Sequence, residues 1–82
     1  MERNELTTVQ KLTLGDRFYK VSDKNKIVFQ MVPHEVKKTH FQTYKYFCCE
    51  ASVIDNKNNK HKERNFKAIN KETPVVFLRH KD

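Results

Sequence analysis

The sequence predicts an all-β domain, either a five-stranded small barrel or a strongly twisted antiparallel meander. Short runs rich in aromatic and β-branched residues alternate with polar turns about every ten residues, a spacing typical of small antiparallel folds. No window carries a sustained apolar stripe at helical spacing, so the only helix expected is a short turn near the N-terminus. A chain of 82 residues fits one domain, with a polar lead-in at 1–11 and a β core at 12–80.

The first half of the chain contains a predicted hairpin. Residues 1–11 are mostly polar and are expected to form one helical turn or an extended lead-in. Gly15, the only glycine, precedes an aspartate and indicates a turn with positive φ. The runs 17–22 (RFYKVS) and 27–32 (IVFQMV) are predicted strands, and the polar residues 23–26 are their turn. Both runs are about equally apolar on their two faces, so their register stays open.

Three further strands are predicted in the second half. The run 44–54 (YKYFCCEASVI) is the longest strand signal, and it follows a long connection at 35–43. The polar stretch 55–64 (DNKNNKHKER) is expected to be a loop, and 65–69 a short returning strand. After another turn, the run 75–80 (VVFLRH) is the last predicted strand.

The approach to the first strand carries a resemblance to a known fold. Residues 12–18 (LTLGDRF) have the pattern Leu-x-x-Gly-Asp-x-Phe. This pattern resembles the opening of many SH3-like small barrels, and the resemblance is confined to these residues. It implies the SH3-like form of the predicted barrel.

Composition indicates a basic surface. Seventeen Lys and Arg against ten Asp and Glu give a formal net charge of +7, which favours nucleic acid among negatively charged partners. Lysine dominates this excess, and a bias towards lysine and asparagine also fits AT-rich coding. The four arginines, Arg3, Arg17, Arg64 and Arg79, are few for sequence-specific reading of base edges. Non-specific or shape-based binding stays open.

The run 44–54 suggests a base-stacking face. Its alternation places Phe47 and Cys49 on the core side, and Tyr44 and Tyr46 near solvent on either side of Lys45. Aromatic rings stack on bases while lysine contacts phosphates, which suits single-stranded nucleic acid. The alternative is that the tyrosines only fill the rim of a small barrel.

A basic loop is the second candidate element. The stretch 55–67 carries five cations against two acids, and such a finger can reach phosphates and release counterions. The alternative is a solvated loop tip that protects a sheet edge from aggregation. The predicted nucleic-acid-binding residues are Tyr44, Lys45, Tyr46, Lys57, Lys60, Lys62, Arg64 and Lys67.

Neither catalysis nor a metal site is predicted. The adjacent Cys48 and Cys49 point to opposite faces of a strand and cannot share an ion, and a single glycine excludes a glycine-rich phosphate loop. No cofactor is expected. Reduced thiols, the lack of an apolar leader and the lack of a long apolar segment favour a cytoplasmic protein without membrane contact. We expect Cys49 in the core and Cys48 partly exposed.

The sequence therefore predicts a non-catalytic basic module that binds DNA or RNA. The alternative is a protein–protein interaction module or small homo-oligomer, such as a homodimer, acting through a sheet edge or the 35–43 loop. The stretch 75–78 supports this alternative because it is apolar on both faces. A small domain has difficulty covering both faces of a strand on its own.

Overall fold

The described part of the chain is an antiparallel sheet. The computed structural model describes residues 2–33, 46–58 and 60–81. Its strands are β1 (Glu5–Thr8), β2 (Asp16–Lys20), β3 (Phe29–Val32), β4 (Tyr46–Glu50), β5 (Lys67–Ile69) and β6 (Pro74–His80). The described residues also contain one α-helix, α1 (Ala51–Asp55), and two 3-10 helices, Val9–Lys11 and Lys62–Asn65. The all-β prediction is confirmed.

The predicted first hairpin is also confirmed. β2 and β3 pair antiparallel, and the turn between them is built by Asp23. Its carboxylate accepts hydrogen bonds from the backbone N–H groups of Asn25 (2.9 Å) and Ile27 (3.1 Å). Lys26 takes a positive φ of 50°. Aspartate stabilises such turns because its short side chain reaches the backbone two to four residues on.

The sheet has one strand more than predicted. Its order is β1-β6-β2-β3-β4-β5, with β6 antiparallel to both β1 and β2. Residues 5–8, expected as part of the lead-in, form the edge strand β1, and 9–11 form the short helical turn. The sequence of β1 (ELTT) shows no alternation of apolar and polar residues, because Leu6 is its one large apolar residue. In the structure Leu6 is 68% exposed.

The short link between β5 and β6 requires the sheet to curl. Only residues 70–73 join these strands, although three others lie between them. A flat sheet would separate them by roughly 19 Å at about 4.8 Å per strand, whereas five residue steps reach about 18 Å at most. Within the described residues the sheet is not closed, since β1 and β5 do not pair. The predicted barrel stays a prediction.

One face of the sheet, here the inner face, holds an apolar cluster. Phe18 and Phe29, neighbours on β2 and β3, stack with ring centroids 6.0 Å apart, a spacing favourable for aromatic pairs. Burying such a ring contributes roughly 1.5–3 kcal/mol. The buried members are Val9, Leu12, Phe18, Phe29, Met31, Cys48, Ile69, Val75 and Phe77. The cluster therefore draws on five strands and on the 3-10 turn after β1.

The strand predicted over 44–54 is wrong at its C-terminal end. β4 ends at Glu50, and the following Ala51–Asp55 is helical. The N–H of Ala51 still donates to the carbonyl of Val28, the next residue in the β3–β4 register, at 2.9 Å, and the helix begins at this residue. A short apolar run cannot be assigned to strand or helix from periodicity alone, and alanine favours helix.

Candidate functional site

Arg17 is held on the outer face of the sheet by two partners. Its Nε donates to Oε1 of Gln30 on β3 at 3.0 Å. Its Nη1 and Nη2 donate to the two carboxylate oxygens of Asp55 at 3.1 and 2.7 Å. The side chain of Arg17 is 11% exposed, and that of Asp55 is 59% exposed. The guanidinium is thus fixed by a buried amide on one side and presents its fork to a solvent-facing carboxylate.

A β-bulge places a second arginine beside the first. Arg17 lies opposite Arg79, and the register of β2 against β6 shifts between Arg17 and Phe18. Leu78 is therefore an extra residue in β6. Like charges directly opposite each other on neighbouring strands destabilise a sheet. The carboxylate of Asp55 interacts electrostatically with both arginines and offsets this repulsion.

Lys62 adds a third cation to this outer face. Its Nζ donates to the backbone carbonyl of Ile54 in the last turn of α1. The hydrogen bond from Arg17 holds the pKa of Asp55 below its usual 3.8, and the charges of Arg17, Arg79 and Lys62 act in the same direction. We call these four side chains, Arg17, Arg79, Lys62 and Asp55, the Arg17 cluster. Three cations against one acid leave it with a surplus of two positive charges.

The predicted basic loop continues from this cluster. Four of its five cations, Lys57, Lys60, Arg64 and Lys67, are exposed, and Lys62 is half-buried. Lys62 belongs to the Arg17 cluster on the outer face, whereas Lys67 lies opposite Cys48 in the β4–β5 register and therefore projects from the inner face. Lys62 is thus the predicted residue that the loop shares with the Arg17 cluster. The binding role of the five residues stays a prediction.

Of the predicted stacking face, Tyr46 is the residue that the structure describes. Tyr44 and Lys45 lie outside the described residues. Tyr46 is half-buried and packs against the apolar cluster, so the expectation that it lies near solvent is wrong. The predicted alternation counted Ala51 and Val53 as strand residues, and these belong to α1.

The two cysteines are buried and reduced, on opposite faces of β4. Cys48 belongs to the apolar cluster, so the expected partial exposure of Cys48 is wrong. Desolvation raises the pKa of Cys48 to about 11 and also raises the pKa of Cys49. Since the thiolate is the reactive and metal-binding form, both thiols are poor nucleophiles and poor ligands at neutral pH.

A second polar network joins the start of β2 to the end of β6. Asp16 is 7% exposed, and its carboxylate accepts hydrogen bonds from the N–H and hydroxyl of Thr13 at 2.9 and 3.1 Å. Nδ1 of His80 lies 3.0 Å from its other oxygen. The predicted positive φ of Gly15 is confirmed at 91°. The Thr-x-x-Asp spacing around the only glycine is the sequence signal for this network.

Sequence reasoning missed Arg17, Arg79 and Asp55 as candidate site residues. The two arginines lie near opposite ends of the chain, and only the pairing of β2 with β6 brings them together. Asp55 was expected in a loop, whereas it ends α1 and faces Arg17. A lone arginine in each of two predicted strands was the only available signal, and it did not indicate that the strands pair.

Further observations bear on the class of site. Among the residues that the structure describes, no group of three or more His, Cys, Asp and Glu side chains is placed to hold a metal ion. No helix in the described ranges is long and apolar enough to cross a membrane. No family model matches the chain, and no curated protein or solved structure shows significant similarity to it.

Proposed function

We propose that the protein is a non-catalytic module that binds the phosphate backbone of DNA or RNA. The observation that carries this proposal is the Arg17 cluster, with its surplus of two positive charges, which includes Lys62 of the 57–67 stretch. The exposed cations of the same stretch add further positive charge. Phosphate contacts account for most non-specific affinity between proteins and nucleic acids. The net charge of +7 supports the same partner.

The proposed mode of binding is backbone contact with little base reading. Lysines are point charges that neutralise phosphates without selecting bases. Because Tyr46 packs against the apolar cluster, base stacking is a smaller part of the proposal than the sequence suggested. A preference for single strands would then come from backbone flexibility rather than from a stacking platform.

We further propose the SH3-like form of the fold and a cytoplasmic location. The strand order β6-β2-β3-β4-β5, with a short link from β5 back to β6, supports a small SH3-like barrel in which β1 is an additional edge strand. The buried, reduced thiols support a reducing compartment.

Fluorescence anisotropy with labelled single-stranded DNA, duplex DNA and RNA tests the function. The matched variants are Lys57→Gln/Lys60→Gln/Arg64→Gln and a control triple, Lys11→Gln/Lys24→Gln/Lys71→Gln, whose side chains are also exposed but lie in other elements. For single strands, loss of three phosphate contacts should lower the slope of log affinity against log salt by about 2. The control triple should lower the salt dependence of binding much less, so that most of the parent slope remains. Equal effects of the two triples, or no binding at about 50 mM salt, would contradict the proposal.

The edge strand β1 favours a second candidate, a homodimer or protein-interaction module. Leu6 is 68% exposed there and lies opposite Val76, and no other described strand pairs with the outer edge of β1. Such edges recruit another strand by backbone hydrogen bonding.

Light scattering after gel filtration, with Leu6→Lys as the variant, tests this candidate. A dimer that the variant disperses would support it, and a monomer at high concentration would exclude the homodimer. The 35–43 loop lies outside the described residues.

A further inference from the structure

The Arg17 fork is the one charged group of the described residues that is both oriented by a buried partner and directed at an exposed anion. We infer that it is a phosphate-binding fork and that Asp55 occupies it when no ligand is bound. The ligand is a phosphate oxyanion, from a nucleic-acid backbone or from free phosphate. Where the source is nucleic acid, the site rests on the proposed function.

The geometry of Arg17 suits a phosphate as well as a carboxylate. Two parallel N–H donors match either oxyanion, and this match distinguishes arginine from lysine. The bond from Nε to buried Gln30 fixes the plane of the guanidinium, so little side-chain freedom is lost when an anion arrives. Such preorganisation increases affinity because the ordering cost has already been met.

Asp55 can give way to a competing anion. Its side chain is 59% exposed, and it lies at the end of a five-residue helix. The carboxylate is the exposed partner of this ion pair, so it can exchange the guanidinium for water at little cost to its own solvation. Departure of the carboxylate leaves Arg17 opposite Arg79 with Lys62 close by. That arrangement favours the binding of another anion, because like charges opposite each other repel.

Asp55 therefore acts as a built-in competitor that weakens binding at this fork. If the carboxylate fills the fork about nine-tenths of the time, its removal raises the affinity for phosphate about tenfold. Removal of any acid from a basic protein also raises the affinity for DNA slightly through the general field. The control must therefore remove a similar charge away from the fork.

The test compares Asp55→Ala with Glu72→Gln, which removes an exposed acid from the 70–73 link. The probes are a labelled oligothymidylate of about 15 nucleotides, long enough to span one such domain, and inorganic phosphate followed by the NMR signal of the Arg17 Nε–H. We expect Asp55→Ala to bind the oligonucleotide about five- to tenfold more tightly than the parent chain, and Glu72→Gln to change binding by less than about twofold. Arg17→Lys in the Asp55→Ala background should abolish the gain because it keeps the charge and removes the fork.

The outcomes separate the fork from the general function. Equal gains in Asp55→Ala and Glu72→Gln would overturn the fork while nucleic-acid binding stands. A phosphate-dependent shift of the Arg17 signal that is stronger in Asp55→Ala, without binding to any nucleic acid, would support the fork and contradict the proposed function. If Arg17→Lys does not fold, Arg79→Gln in the Asp55→Ala background replaces it. A gain that survives Arg79→Gln and no phosphate-dependent shift at Arg17 would together overturn the inference.

Discussion

Asp16 and Arg17 are neighbours in β2, yet their charges lie in contrasting surroundings on opposite faces of the sheet. The carboxylate of Asp16 is buried and bonded to Thr13 and His80. The guanidinium of Arg17 is also largely covered, but its acidic partner Asp55 is solvent-facing. A buried charge with its hydrogen bonds made is costly to disturb, whereas an exposed partner exchanges readily with water or another anion. The first arrangement stabilises the fold, and the second is the one that we propose for anion binding.

The largest expected effect comes from Asp16→Ala. The change leaves the N–H and hydroxyl of Thr13 without their acceptor and should lower the free energy of unfolding by about 2–3 kcal/mol. Urea denaturation monitored by circular dichroism measures it. Asp55→Ala is the comparison from the other face. Its effect should be smaller because Arg17 keeps its hydrogen bond to Gln30 and Asp55 itself is solvent-facing. Similar losses in the two variants would remove the distinction drawn above.

Gly15→Ala should be the next largest. The φ of 91° at this position disfavours any side chain, and an added Cβ would lie 2.7 Å from Cε1 of His80. The expected loss is about 1–2 kcal/mol. In a His80→Ala chain, which itself lacks the contact with Asp16, Gly15→Ala should cost less, because the steric contact is gone and the backbone strain remains. Urea denaturation of the four chains measures both costs, and no cost of Gly15→Ala in the His80→Ala chain would show that the backbone at Gly15 is not strained.

Cys48 and Cys49 are a second pair of neighbouring residues on opposite faces of one strand, β4, and their thiols affect stability at high pH. Burial raises the pKa of Cys48 to about 11 and raises that of Cys49. Above about pH 9 the unfolded chain loses thiol protons that the folded chain retains, so it binds fewer protons and the stability falls with rising pH. Denaturation between about pH 8 and pH 11, with Cys48→Ala as the control, checks this sign. A flat profile in the parent chain would contradict the cause assigned to the shift.

The smallest effect concerns the ionisation of Asp55. Its pKa is lowered first by the hydrogen bond from Arg17, so the pair stabilises the fold above about pH 4, where the unfolded acid is ionised. This contribution is lost as the pH falls through the folded pKa. NMR titration of the Asp55 carboxyl should give a midpoint below 3.8, and Arg17→Lys should move it upward. An unchanged midpoint in Arg17→Lys would assign the shift to the general field instead.

The sequence predicted the parts of the fold that depend on local chemistry. The turns at Asp23 and Gly15 were predictable from single residues. Glycine adopts positive φ without strain, and aspartate accepts hydrogen bonds from the backbone of a turn. The end of β4 was mispredicted because residues 51–54 fit a strand and a helix equally well in a short window. The Arg17 cluster could not be predicted at all, since it depends on the pairing of β2 with β6 and on a bulge at Leu78.

The position of β6 between β1 and β2 has a consequence for how the protein is made. A ribosome adds residues in order at roughly 5–20 per second, and β1 and β2 emerge well before the strand that pairs with both. Until β6 has left the exit tunnel, these two segments lack their shared partner, and Phe18 of β2 lacks its neighbour Phe77. Nascent-chain folding should therefore be late and abrupt rather than gradual. Long-range pairing of this kind is also slow, because distant segments must meet first.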